Sequence, residues 1–205
     1  NQGGAGLVVV AGGEDSSSAG VQVGEAWFSG YPLGGNRFAV CFALPPGLAR
    51  DAQFLARAED AAGNRGEAPF RPNFKPRPPR RDRIELSDRF LAGVIPYFRG
   101  QDPSLQGSDI EVFLAVNRTQ RGADAERIRT ICRTSAPERL WSGAFTRMLG
   151  KPMAGFGEER TYFYRGEEVD RQVHLGVDIA SLVQSPVPAG NGGRVVLAGP
   201  LGIYG

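Results

Sequence analysis

His174 is the single histidine in a chain of 205 residues, and Asp178 stands four places after it. An imidazole nitrogen and a carboxylate oxygen are acceptable ligands for Zn²⁺, and both can reach one ion if the backbone between them turns. A helix would also bring i and i+4 together, but Gly176 and the β-branched Val173, Val177 and Ile179 disfavour one. The spacing therefore predicts a strand broken by a glycine bend. Two protein ligands are too few for a zinc site, and no centre that needs two histidines is complete within these residues. Taken alone, the pair also describes a surface histidine beside a turn aspartate.

Other reactive groups have simpler readings. Asp60 falls in turn sequence, and Glu158-Glu159 reads as a solvated pair beside a strand. Cys41 and Cys132 read as small buried apolar residues, whose pairing would need their domains to touch. Asn117-Arg118-Thr119 has the form of a glycosylation acceptor and is taken as chance. Phe156, Tyr162 and Tyr164 either line a substrate groove or face a core.

The elements that must position these groups are short. Residues 7–10, 21–28, 37–44 and 53–59 carry β-branched or aromatic character between Gly, Pro, Ser and Asp clusters, and Phe38, Val40 and Phe42 alternate cleanly. Repeated short strands point to a β-sandwich. Residues 71–83 hold four prolines and six basic residues, the composition of a stiff, solvated linker. Ser87 can cap a helix from Asp88 to about Ile95, ended by Pro96; Ser108 or Asp109 can cap a second through Val116; residues 123–132 suit a third. After Trp141 come strands at 161–164 and 194–198.

Composition narrows the function classes. With 24 Lys+Arg against 22 Asp+Glu, the net charge of +2 argues against a dedicated nucleic-acid binder. Two cysteines cannot build a disulfide scaffold or a four-Cys zinc site. No window holds the roughly 18 consecutive apolar residues of a membrane span. The reading is a multidomain chain, mainly β with a small α or α+β unit. Its parts are a β-sandwich at 1–69, a linker at 70–83, a helical or α+β region at 84–140 and a final segment at 141–205.

Two resemblances add to this. Ala58-Glu59-Asp60-Ala61-Ala62-Gly63-Asn64-Arg65 resembles the F–G hairpin of bacterial immunoglobulin-like modules, which implies an immunoglobulin-like sandwich for 1–69. His174-Leu175-Gly176-Val177-Asp178-Ile179-Ala180, then Pro186-Val187-Pro188-Ala189, then Gly193-Arg194-Val195-Val196-Leu197-Ala198-Gly199 closely resembles the lysostaphin/LytM-type zinc metallopeptidases. Those enzymes carry H-x-G-x-D-x-A, P-V-x-A and G-x-V-x-x-A-G in that order, and Phe156-Gly157-x-x-Arg160 is similar to the element upstream of their metal motif. The resemblance covers about the last third of the chain. It implies an antiparallel β-sheet enzyme with a narrow groove over Zn²⁺, with His174 and Asp178 as the first two ligands and Phe156 and Tyr162 as groove candidates. The third ligand and a proton-handling histidine sit in the family on a later H-x-H, which has no counterpart here and is expected beyond Gly205.

The turn sequence at 199–202 normally leads into a partner strand, so the chain is expected to be cut short. Without the H-x-H that the resemblance implies, it is expected to be inactive alone, or active only with its missing C-terminal part bound. The resemblance further implies cleavage of peptidoglycan peptide cross-links by an exported protein of the periplasm or cell envelope. Whether a membrane anchor lies upstream stays open. The rival readings are a non-catalytic scaffold or activator of wall hydrolases and an extracellular binding or adhesion protein.

Overall fold

The structure is a computed structural model that describes residues 2–73, 78 and 80–204. The chain folds as two compact units, Asn1–Pro79 and Arg80–Gly205, and is mainly β. Part of the proline-rich linker expectation, at residues 74–77 and 79, lies outside the described residues. No helix among the described residues is long and apolar enough to cross a membrane.

The described residues of the first unit hold seven strands: β1 Ala5–Ala11, β2 Ser16–Val23, β3 Ala26–Ser29, β4 Tyr31–Gly34, β5 Arg37–Ala43, β6 Phe54–Asp60 and β7 Arg65–Pro69. They form two sheets, in the orders β1-β5-β4 and β3-β2-β6-β7, with every pairing antiparallel. Val10, Phe38, Val40 and Phe42 of the first sheet share one core with Val21, Val23 and Phe54 of the second. Phe42, Phe54 and Phe70 meet edge to face at 5.7–6.4 Å, the arrangement their ring quadrupoles favour. Period-2 alternation that buries Val40 and Phe42 turns Cys41 outward, so this cysteine is exposed rather than core. The 21–28 run divides into β2 and β3, because Gly24 turns at φ 58.

Asp60 closes the β6–β7 hairpin. Its Oδ1 accepts from the backbone amides of Ala62 and Asn64 at 2.8 and 2.9 Å, and Oδ2 accepts from Asn64 Nδ2 at 2.8 Å. The Asn64 bonds hold its carboxyl below the usual aspartate value, and Gly63 supplies the positive φ of 88.

The second unit opens with β8, Arg81–Leu86, followed by α1 Asp88–Gln101. Ser87 Oγ accepts from Phe90 N at 3.1 Å as the N-cap. Pro96 lies inside α1 instead of ending it. Leu91 and Ile95, 1% and 0% exposed, hold the helix on the core across the hydrogen bond that proline removes. A loop leads to α2 Asp109–Ala115, where Glu111 accepts from the Ser108 backbone amide at 2.8 Å. A five-residue π turn, Val116–Gln120, then continues directly into α3 Arg121–Cys132, joining the two helices the sequence suggests separately.

Two short strands, β9 Lys151–Pro152 and β12 Ile179–Ala180, pair with each other, and β10 Glu159–Tyr164 pairs antiparallel with β11 Glu167–Val173. β8 lies parallel on the other side of β10, in the order β11-β10-β8, so the helices form the crossover a parallel pair requires. This pairing puts the 84–140 and 141–205 segments into one unit. The linker boundary at 83 also shifts, since Arg81 already begins a strand whose Ile84 and Leu86 face the helices. Val112, Phe113 and Val116 complete that core with Tyr162. No strand forms at 194–198, where Val195 and Val196 are 81% and 63% exposed and no ladder partner adjoins them.

Candidate metal site

β11 ends at Val173, the chain bends at Gly176, and β12 resumes at Ile179. Backbone bonds fix both sides of the bend. His174 N donates to Glu158 O at 2.8 Å, Gly157 N to His174 O at 2.8 Å, Asp178 N to Ala154 O at 2.9 Å and Met153 N to Asp178 O at 2.9 Å. The backbones of His174 and Asp178 are thus each clamped to the 153–158 segment between β9 and β10.

The clamp brings His174 Nε2 to 3.3 Å from Asp178 Oδ1. Nε2 is buried and makes no hydrogen bond, so the two atoms converge without the alignment of a direct bond. In a tetrahedral zinc site with bonds of 2.0–2.2 Å, a nitrogen and an oxygen ligand stand about 3.3–3.5 Å apart. The observed separation fits that geometry. Among the described residues no group of three or more His, Cys, Asp or Glu is arranged to hold a metal ion, so these two donors form a half-site.

Arg160, at the start of β10, donates from Nη2 to Asp178 Oδ2 at 2.9 Å. That bond occupies one carboxylate oxygen and leaves Oδ1 aimed at His174, as an outer partner of a metal ligand does. Arg160 Nε also reaches Glu158 Oε1 at 3.5 Å. Burial pulls the Arg160 pKa down, but the Asp178 bond and neighbouring charge outweigh it and leave it above the usual arginine value. In the sequence Arg160 stands out only within the Phe156-Gly157-x-x-Arg160 run, and nothing in the spacing says that it grips residue 178.

The remaining candidates separate. Phe156 is 45% exposed and free to contact a ligand. Tyr162 is 6% exposed, with its ring 5.6 Å from Phe113, and belongs to the core; even residues of β10 point under the helices. Tyr164 packs at the edge of the same core and donates its hydroxyl to Asp88 Oδ1 at 2.7 Å. Glu158 is buried at 7% exposure, not solvated, because it shares the face of the sheet that Arg160 lies on. Cys132 is exposed and unpaired at the end of α3, none of whose residues is buried. Asn117 is 4% exposed inside the π turn and donates to Asp170 Oδ2 at 2.7 Å, a place no glycan can reach.

Beside the half-site lies a cleft of about 820 Å³ between α3 and the ends of β8, β10 and β11, and Arg160, Val173 and Leu175 are among its walls. No protein-family model matches this chain, and no curated protein matches it.

Proposed function

We propose that this chain carries half of a zinc site of a metalloendopeptidase that cuts peptide bonds of bacterial peptidoglycan in the cell envelope. The observation that carries the reading is the 3.3 Å approach of a buried, otherwise unbonded His174 Nε2 to Asp178 Oδ1. The ordered motif run from Phe156 to Gly199 supports it. Zn²⁺ held there supplies Lewis acidity that polarises a peptide carbonyl and acidifies water.

The chain's own residues do the positioning. His174, whose side chain is 13% exposed, offers Nε2, and ligation through it requires the neutral imidazole. Arg160 binds one oxygen of Asp178 and so sets single-oxygen ligation by the other. Phe156 and Val177, 45% and 57% exposed, offer apolar surface near the bend for a peptide. The site needs further donors, including a proton-handling histidine, from residues outside this sequence; its association with that completing segment is part of the proposal.

The first unit is read as an immunoglobulin-like module that positions the hydrolase. Its sheet orders, β1-β5-β4 and β3-β2-β6-β7, correspond to B-E-D and C′-C-F-G of that sandwich, with the Asp60 turn as the F–G hairpin.

Calorimetric titration with zinc chloride tests the half-site. One equivalent should bind, weakly, and binding should vanish in both His174→Ala and Asp178→Ala while Asp170→Asn retains it. Peptidoglycan hydrolysis by the protein with its completing segment should stop with a chelator and in both ligand variants. Zinc binding indifferent to both substitutions, or hydrolysis that survives them, refutes the reading.

A further inference from the structure

Six arginines line the cleft beside the half-site: Arg81, Arg118, Arg121, Arg129, Arg160 and Arg171. The chain holds 22 arginines and two lysines, so arginine in place of lysine is not informative here; the gathering of six around one cavity is. Glu159 is the one acidic residue of the lining.

The cleft exists because α3 turns an unusual face to the sheet. Arg118, Arg121, Gly122, Ala125 and Arg129 follow helical spacing along that face. A helix that covers a sheet normally presents large apolar side chains there. Here small residues occupy the middle and cations the ends, so about 820 Å³ stays open.

Carboxylates already pair most of these cations, and the walls taken with them are close to neutral. Two are firmly built in. Asp170, with its side chain 8% exposed, binds Arg118 at 2.9 Å, and Glu158, 9% exposed, neighbours Arg160. Arg160 also holds the half-exposed Asp178. The others are exchangeable: Glu159 on Arg81, Glu126 on Arg129 and Glu168 on Arg171 are 46%, 52% and 40% exposed. Exposed pairs of this kind contribute about 0–1 kcal/mol, so an incoming carboxylate displaces them at little cost. Among the described residues Arg121 bonds only the neutral Asn117 Oδ1, at 2.7 Å. A planar guanidinium fork takes a carboxylate with two parallel bonds.

The other walls select the rest of the ligand. Val173 and Leu175 are 43% and 52% exposed, and β11, which carries Arg171, Gln172 and Val173, is the edge strand of its sheet. Exposed aliphatic surface beside the edge strand of a sheet suits an extended peptide better than a phosphate polymer. We infer that the cleft between α3 and the ends of β8, β10 and β11 binds an extended acidic peptide with alternating carboxylate and aliphatic side chains. This site is independent of whether His174 and Asp178 hold a metal.

The test is fluorescence anisotropy of the whole chain with labelled Glu-Val-Glu-Val-Glu, its Gln-Val-Gln-Val-Gln counterpart and polyphosphate, all without zinc. The acidic peptide should bind and the glutamine peptide should not. Arg121→Gln and Arg129→Gln, on the exposed α3, should each weaken binding about tenfold, the value of a charge-assisted hydrogen bond. Arg37→Gln in the first unit should leave it unchanged. Should a variant unfold, hydrogen exchange of the unaltered chain decides, because bound peptide must protect amides 171–175. Absence of acidic-peptide binding, binding unmoved by both cleft variants, or no protection at 171–175 overturns the inference. Tight polyphosphate binding with none of the peptide overturns it in favour of a polyanion site.

Discussion

Replacing Arg160 by Met separates the structural from the positioning contribution of one side chain. The substitution keeps much of the volume but removes a cation that touches both Glu158 and Asp178. The Glu158 side chain is 9% exposed and cannot turn to solvent. Stranding a buried carboxylate costs about 3–5 kcal/mol when the lost pair is close and dry. The Glu158 contact is long at 3.5 Å and Arg160 keeps 18% exposure, so about 2 kcal/mol is the expected loss. Asp178, 52% exposed, is rehydrated and adds little. Urea denaturation at pH 7 measures this, and in a Glu158→Gln background the same substitution should cost under about 1 kcal/mol. The second effect is on the half-site: with Asp178 free to rotate, zinc affinity should fall about 10–100-fold. Arg160→Lys, which keeps a charge but loses the fork, should fall between. Unchanged stability in both backgrounds refutes the burial argument. Lost stability with unchanged zinc affinity refutes the positioning role.

Three further outcomes follow from the second unit. Ile95→Ala, at a fully buried position of α1, should lower its stability by about 2–5 kcal/mol in thermal or urea unfolding. Pro96→Ala should raise it by about 1–3 kcal/mol, since the exposed proline breaks a helical hydrogen bond that alanine restores. Burial pushes the Asp170 carboxyl up, but hydrogen bonds from Arg118, Gln172 and Asn117 outweigh it and hold it below 3.8. Its contribution is therefore complete above the unfolded value and lost as pH falls through the lower native one. Asp170→Asn should cost about 1–3 kcal/mol at pH 7, with the difference from the unaltered chain vanishing in denaturation curves taken well below pH 3.8.

Much of the fold was legible because local rules decide it. Phe38, Val40 and Phe42 alternate in sequence and are buried together, and Ser87 announces a helix that begins at Asp88. Asp60 reads as a turn residue and is one. Other elements were hidden for identifiable reasons. β8 adjoins a proline and arginine run, and its alternation rests on Ile84 and Leu86 alone. β4 and β7 are exposed along their whole length, so neither has an apolar stripe to show. Pro96 signalled a stop that the packing of Leu91 and Ile95 overrides. Tyr162 could face either way until β10 took its place between β8 and β11.

Residue types and spacing along the chain determined the start of β5 at Arg37, the capped starts of α1 and α2, the bend at Gly176, and the pairing in principle of His174 with Asp178. Tertiary structure alone decided that Arg160 grips Asp178, that Glu158 is buried, and that six arginines from β8, the π turn, α3, β10 and β11 surround one cleft. The division has a physical cause. Turn chemistry and hydrophobic periodicity act between neighbours within a few residues, whereas Arg81 meets Glu159 across 78 positions and Arg118 meets Asp170 across 52. Such contacts exist only once a parallel strand pair and its helical crossover have formed.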